Sequence, residues 1–170
     1  MPTLTAVLGD LTDQHVDVIV NAASNAMRGG GGVDGAIHRA GGPAILADCI
    51  ARFPNGLATG DAGWTTAGDL PARWVVHTVG PNFAAGERDR SRLLSCYRRA
   101  LEVADRLGAS SIAFPLISAG IYGWPRADAI AAALEAIRSS DALVDDVRIV
   151  ARDAAIHDEV RAAIQAAEPS

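Results

Sequence analysis

Residues 16–35 read VDVIVNAASNAMRGGGGVDG, and the order of residue types along them sets the architecture. Val16 to Val20 are mostly β-branched and give way to turn-formers beyond Asn21, the pattern of a strand. Val33 to Ala40 then begins a helix. Between them stand four successive glycines, Gly29 to Gly32, residues that lose more backbone freedom on ordering than any others. Such a run is either a slack surface loop or a place where something presses against bare backbone.

The same alternation repeats outward along the chain. Leu4 to Leu8 reads as a strand ending at Gly9-Asp10, and Pro43 to Phe53 as a helix with proline in its first turn. Ala62 to Thr66 and Trp74 to Val79 read as strands, separated by the turn Gly68-Asp69-Leu70-Pro71. Arg92 to Leu107 is the clearest helix, with Leu93, Tyr97, Ala100, Leu101, Ala104 and Leu107 on one face and Gly108 ending it. Ser111 to Leu116 is a strand, followed by a second glycine-bearing loop, Ser118 to Gly123. Ala127 to Arg138 is helical, Val147 to Val150 is the last strand and Ala155 to Ala167 the last helix. Strands interleaved with helices predict one α/β domain over residues 1–170, with helices on both faces of the sheet. Ligands of such sheets sit beyond the carboxyl ends of the strands. Gly9-Asp10, Asn21 to Gly32, Gly80-Pro81 and Ser118 to Gly123 all follow strands, so they point to a single site.

Composition narrows the chemistry. A chain of 170 residues, 49% hydrophobic and 21% charged, is long enough for a sizeable core and belongs among globular proteins. A net charge of -5 gives no electrostatic footprint for duplex nucleic acid. All 15 basic residues are arginine, which removes Schiff-base, phosphate-loop and general-base lysines from consideration. Cys49 and Cys96 form neither a disulfide framework nor a metal spacing and read as buried free thiols. The start, MPTLTAVLGD, lacks a basic segment, and no apolar run approaches the roughly 18 residues of a membrane span. A reducing, cytoplasmic setting away from membranes is expected.

Gly30 to Gly35 formally match G-x-G-x-x-G, the dinucleotide fingerprint, but four glycines make that match cheaply. The fingerprint also places its glycines directly after a strand, whereas Asn21 to Arg28 intervene here. The physics beneath it still applies, because bare amides at a helix N-terminus attract anions. Two loops of this kind either grip a diphosphate from both sides or are ordinary connections that need positive φ. Asp34 either complements the dipole of its helix, worth about 0.3–1 kcal/mol, or meets a water or sugar hydroxyl. His38 lies four residues on, within reach of Asp34 or simply packed. Asp10 reads as a turn cap or as an acceptor for an exocyclic amine, and Asn21 as a hydroxyl binder or a pin for the loop after it. His15, His77 and His157 are scattered, and no nucleophile elbow or metal set is present.

Several ordered motifs resemble the macrodomain family, in particular its MacroD-type branch of ADP-ribose hydrolases. They are Gly9-Asp10-Leu11-Thr12, Val18-Ile19-Val20-Asn21-Ala22-Ala23 and the run from Gly29 to Ala40. Thr59-Gly60, Ala67 to Leu70, His77-Thr78-Val79-Gly80-Pro81, Ala113 to Ser118 and Gly120-Ile121-Tyr122-Gly123 with Pro125 continue the series. The resemblance implies a three-layer α/β/α sandwich around a mixed six-stranded sheet. It implies that Asp10 accepts from the adenine amino group, that Leu11 frames the ring, and that Gly30, Gly31, Gly32 and Val33 with Ser118, Ala119, Gly120, Ile121 and Tyr122 cradle the diphosphate. Asn21 would lie near the distal ribose, Tyr122 would close over it, and Asp34 would be the catalytic carboxylate that activates or positions water. Neither a metal nor a cofactor is implied. The implied partners are ADP-ribose, O-acetyl-ADP-ribose and proteins mono-ADP-ribosylated on acidic side chains, with the chain itself a monomer. The implied reactions are ADP-ribosyl hydrolysis and O-acetyl-ADP-ribose deacetylation, the alternative being a non-catalytic ADP-ribose reader. The lack of lysine excludes the lysine-adduct mechanism of another macrodomain branch.

Three positions depart from the family pattern. The family's Asn-Ala-Ala-Asn reads Asn21-Ala22-Ala23-Ser24, which replaces an amide facing the distal ribose with a shorter hydroxyl. Asn25 is adjacent, but successive residues of an extended chain point to opposite sides. Arg152 stands where relatives often place an aromatic ring against adenine, and a guanidinium can stack on a base or point into solvent. Trp124 follows Gly123 and either narrows the mouth of the site or packs on the outer helix.

Overall fold

A computed structural model describes residues 2–167, so Met1 and residues 168–170 of the expected 1–170 domain lie outside the described residues. Six strands alternate with five α-helices: β1 (Thr3–Leu8), β2 (Val18–Ala22), α1 (Gly32–Gly41), α2 (Pro43–Arg52), β3 (Ala62–Thr66), β4 (Trp74–Thr78), α3 (Arg90–Arg106), β5 (Ser111–Phe114), α4 (Arg126–Arg138), β6 (Asp146–Ala151) and α5 (Ala154–Ala166). The strands form one sheet in the order β1-β6-β5-β2-β4-β3. All neighbours are parallel except β3 against β4, so the sheet is mixed, with an antiparallel edge strand. Side chains alternate between faces along a strand, and both faces are buried here. Val18, Val20, Val76, Ile112, Phe114, Val147 and Ile149 face the layer of α3, α4 and α5. Ile19, Val75, Ala113 and Val150 face α1 and α2. The expected three-layer α/β/α sandwich is therefore the observed architecture, and the expected stripe of α3 is buried from Leu93 to Ala104. Cys49 and Cys96 are both buried and free.

Element boundaries differ from the sequence reading in ways that matter for the site. The second strand runs two residues later than VDVIV suggests. The Asp17 carbonyl accepts from the Arg73 and Trp74 amides at 3.0 Å each, and its carboxylate accepts from the Ser110 amide at 2.8 Å. Those bonds tie Val16-Asp17 into a bend and leave Asn21 inside β2, paired in register with His77 of β4. β5 stops at Phe114 because Pro115 has no N–H to continue the ladder. Short 3₁₀ turns at Leu11–Asp13 and Phe83–Ala85, unread in the sequence, follow the carboxyl ends of β1 and β4.

Candidate functional site

The carboxyl ends of β1, β6, β5 and β2 open into one cleft with two lobes, which share Gly32, Val33, Pro115, Leu116 and Gly120 as a waist. The wide lobe, about 600 Å³, takes Asp10, Leu11, Ala119 and Arg152 in its walls. The narrow lobe, about 300 Å³, is lined by Ser24, Gly30, Gly31, Asp34, Ser118, Ile121 and Tyr122. Every residue expected at the site lines one lobe or the other except Asn21. That residue is fully buried beneath the narrow lobe and meets it through Asp34.

The waist supplies backbone donors. The helix α1 is capped by Gly31 with no side-chain bond, and the amides of Gly32, Val33 and Asp34 meet no acceptor among the described residues. Across the cleft, the amides of Gly120, Ile121 and Tyr122 likewise donate to no group among the described residues. The glycines earn their places differently. Gly29 (φ 89°) and Gly32 (φ 59°) adopt the left-handed region, whereas a Cβ on Gly31 would meet nothing within 4 Å and leaves open space. In the opposite loop Gly123 (φ 72°) is left-handed, and so is Ser118 (φ 66°), a conformation uncommon for a residue with a side chain. Its hydroxyl is buried without a hydrogen-bond partner, and a Cβ on Gly80 would run into it. Strain and unpaired polar groups of this kind concentrate at ligand clamps.

Asp34 sits at the floor of the narrow lobe, 5% exposed. Its Oδ1 accepts from Asn21 Nδ2 at 2.8 Å and lies 3.3 Å from His38 Nε2. The other oxygen, Oδ2, lies beside Gly30 and has no such partner. The helix-start position of Asp34 and its i,i+4 partner His38 thus serve a shared carboxylate. His77, which looked scattered in the sequence, stands directly behind this group. Its Nδ1 is 3.0 Å from Asn21 Nδ2 and its Nε2 is 2.8 Å from Thr65 Oγ1. Burial, reinforced by nearby His38, pushes the His77 pKa down to about 3, so the ring is neutral. Cys49 Sγ lies 3.7 Å from His77 Nε2, but burial pushes that thiol up to about 11, leaving no thiolate nucleophile at neutral pH. A polar residue inside the apolar strand WVVHT was the available sign of His77, and only the register with β2 gives it meaning.

At the wide lobe, Asp10 plays its expected cap role: Oδ1 accepts from the Thr12 amide at 2.9 Å and the Thr12 hydroxyl at 2.7 Å. Those bonds hold the Asp10 carboxyl below its ordinary range and ionised, with Oδ2 left free. Arg152 is exposed on the rim. Trp124 does not narrow the mouth. It is 4% exposed, donates from Nε1 to Asp128 at 2.9 Å and packs edge-on against Phe83 at 5.2 Å. Asn25 turns away from the cleft, donating to the Leu57 carbonyl at 2.9 Å and to Thr59 at 3.2 Å. Among the described residues no cluster of His, Cys, Asp or Glu is arranged to hold a metal ion, and no helix is long and apolar enough to cross a membrane.

A mixed sheet whose carboxyl edge carries facing amide loops above a buried carboxylate defines a three-layer α/β/α domain built to hold an anionic ligand. The chain belongs to the Macro domain family, which it matches over residues 20–133. It is 55% identical over 163 residues to a macro domain-containing protein of Streptomyces nogalater, covering 93% of this chain and 90% of that one. It is 43% identical over 164 residues to an O-acetyl-ADP-ribose deacetylase of Pantoea vagans, covering 93% and 96%. Among solved structures, a variant Oceanobacillus iheyensis macrodomain with ADPR superposes with a TM-score of 0.89 at 37% identity, covering 97% of this chain and 93% of that one. The Trypanosoma brucei macrodomain in complex with ADP-ribose gives 0.85 at 37% identity, covering 95% and 68%.

Proposed function

We propose that this chain binds ADP-ribose and hydrolyses esters of its distal ribose, both mono-ADP-ribose on acidic protein side chains and O-acetyl-ADP-ribose. The observation that carries this reading is the asymmetry of Asp34: Oδ1 is held by Asn21 and His38, while Oδ2 is free at the floor of a lobe ringed by unpaired amides. In this reading the diphosphate lies across the waist, on the Gly32 to Asp34 amides and those of Gly120 to Tyr122. The adenine enters the wide lobe, where Asp10 Oδ2 accepts its amino group and Leu11 frames the ring. The distal ribose reaches the narrow lobe beneath Tyr122. Asp34 Oδ2 takes a proton from a water, whose oxygen adds to the ester carbonyl. The carbonyl–ribose oxygen bond then breaks, and the ribose oxygen takes the proton from Asp34, leaving free ADP-ribose and a carboxylic acid, which gives its remaining proton to solvent. The step runs through side chains, water and backbone amides, with no metal, in a chain acting as a cytoplasmic monomer.

One observation favours the rival reading of a non-catalytic reader. Ser24 lines the narrow lobe where the family has an amide, and Asn25 is committed elsewhere, so nothing replaces the lost group. The deciding experiment is release of ADP-ribose from a protein mono-ADP-ribosylated on Glu, run beside calorimetric binding of ADP-ribose. Release by the native protein, lost in Asp34→Ala while binding persists, supports the hydrolase. Binding without release by the native protein leaves the reader.

A further inference from the structure

We propose that Thr65 and His77 form a buried positioning pair that locks the Asn21 carboxamide, committing one of its hydrogens to Asp34 and so fixing which carboxylate oxygen is free to react. The inference rests on the hydrolase reading for its kinetic consequence, but its geometry stands apart from it. Asn21, Thr65 and His77 are each fully buried, on the face of the sheet that is otherwise filled by apolar side chains beneath α1 and α2. Each link in the chain of hydrogen bonds sets the direction of the next. The Thr65 hydroxyl lies 2.9 Å from the Thr66 carbonyl, to which it can donate while its oxygen accepts from His77. The Asn21 NH₂ group facing His77 Nδ1 at 3.0 Å makes that nitrogen an acceptor, so a neutral ring carries its proton on Nε2, 2.8 Å from Thr65 Oγ1. Asn21 Nδ2 gives one hydrogen to that Nδ1 at 3.0 Å and the other to Asp34 Oδ1 at 2.8 Å.

The reverse arrangement fails at both ends. A proton on His77 Nδ1 would face the Asn21 NH₂ group, donor against donor at 3.0 Å. Turning the carboxamide over would place Asn21 Oδ1 against Asp34 Oδ1, acceptor against acceptor at 2.8 Å. The observed orientation leaves Asn21 Oδ1 buried with no partner, a loss worth about 1–3 kcal/mol. A fold tolerates that only when other bonds over-determine the group. His77 and Thr65 supply them, from a second and a third strand.

The test uses the full chain labelled with ¹⁵N in histidine, as native protein, Thr65→Val and Thr65→Ser. Long-range ¹H–¹⁵N spectra from pH 5 to 8 report the His77 tautomer, and kcat and KM are measured on O-acetyl-ADP-ribose. The native spectrum is expected to show His77 with its proton on Nε2 and no titration across this range. Thr65→Val removes the acceptor for that proton at nearly constant volume. It is expected to lose the single tautomer and to lower kcat at least tenfold with KM within twofold. Thr65→Ser restores the hydroxyl and is expected to recover kcat to within threefold of native. A proton on Nδ1, titration of His77 between pH 5 and 8, or a Thr65→Val protein that keeps kcat within twofold would each overturn the proposal. So would a Thr65→Ser protein no faster than Thr65→Val. Should Thr65→Val not fold, His77→Gln takes its place: its oxygen can accept from Asn21, and kcat has to stay at least tenfold above that of His77→Leu. A native protein that binds ADP-ribose without turnover sinks the hydrolase reading alone, and the spectra still decide the positioning.

Discussion

The two lobes of the cleft are built on opposite principles. At the wide lobe, Asp10 and Arg152 stand at or near solvent, and Asp10 is held only by its own turn through Thr12. At the narrow lobe, Asp34 is nearly buried and is the visible end of a chain of side chains running through Asn21 and His77 to Thr65. Groups that act singly contribute separately, whereas members of one buried network do not, because removing one strands the others. The wide lobe is therefore a place to adjust affinity. On the proposed hydrolase reading, the narrow lobe is a place where reaction geometry is fixed by the fold itself.

The largest effect expected from this contrast is at Asp34. Asp34→Ala removes the only carboxylate in the narrow lobe, and loss of a positioned general base costs about 10²–10⁴-fold in rate. Affinity for ADP-ribose, assigned in the proposed reading to the amides of the waist, is expected to change by less than about fivefold. Single-turnover release measured beside calorimetry checks the split. A matched loss of binding and rate would mean that the lobes do not divide the labour in this way.

The second prediction concerns the network's cost in acid. His77 is kept neutral in the fold down to about pH 3, whereas an unrestrained histidine protonates near 6.5. Below pH 6.5 the unfolded chain therefore takes up a proton that the folded chain refuses. Stability then falls as pH falls, by about 1.4 kcal/mol per pH unit from this residue. Between pH 6.5 and 5 that amounts to about 2 kcal/mol. The depressed carboxyls of Asp10 and Asp17 act in the same direction, but only as pH falls further, through the ordinary carboxylate range. Urea unfolding at pH 7, 6 and 5 reads the slope, and His77→Gln is expected to flatten it. An unchanged slope in that variant would remove the link between the buried histidine and acid lability.

At the wide lobe the expected effect is smaller and of another kind. Asp10→Ala deletes one charge-assisted acceptor, worth about 1.5 kcal/mol, or roughly tenfold in Kd. At saturating substrate kcat is expected to stay within about twofold, because Asp10 lies in the other lobe from Asp34. Titration calorimetry with ADP-ribose, paired with saturation kinetics, reads both quantities. A fall in kcat would show that the lobes communicate.

How legible this contrast was in the sequence follows the same division. The alternation of elements, the buried stripe of α3 and the polar segments after strands could be read because each depends on local pattern. Asp10, Asp34 and the two loops were legible for the same reason, since each stands in a motif beside a strand end. Asn21 was legible as the polar residue after a strand, but its bond to Asp34 was not. Its side chain belongs to a strand that the sequence reading ended two residues too soon. His77 and Thr65 were not found at all, because their meaning lies in register: Asn21 opposite His77, and Thr65 on the neighbouring edge strand opposite Val75. Pairing between strands separated by tens of residues leaves no periodic trace in a single sequence. The left-handed Ser118 is equally silent, because no glycine marks it.

The smallest expected effect falls on Ser24, a narrow-lobe residue that is not tied into the buried network. Its side chain lines the lobe, whereas Asn21 beneath it is committed and Asn25 beside it bonds the Leu57 carbonyl and Thr59. A serine offers one short hydroxyl, and an asparagine at the same place offers two donors and an acceptor with longer reach. Ser24→Asn is therefore expected to raise kcat by about threefold, under 1 kcal/mol of added transition-state stabilisation. KM should barely move if the new contact forms only as the reaction proceeds. Ser24→Ala separates the two roles of the position, since a loss there shows that the hydroxyl already contributes. No gain in Ser24→Asn, together with a loss in Ser24→Ala, would mean that the narrow lobe has settled around serine, and that its buried network, not its lining, sets the rate.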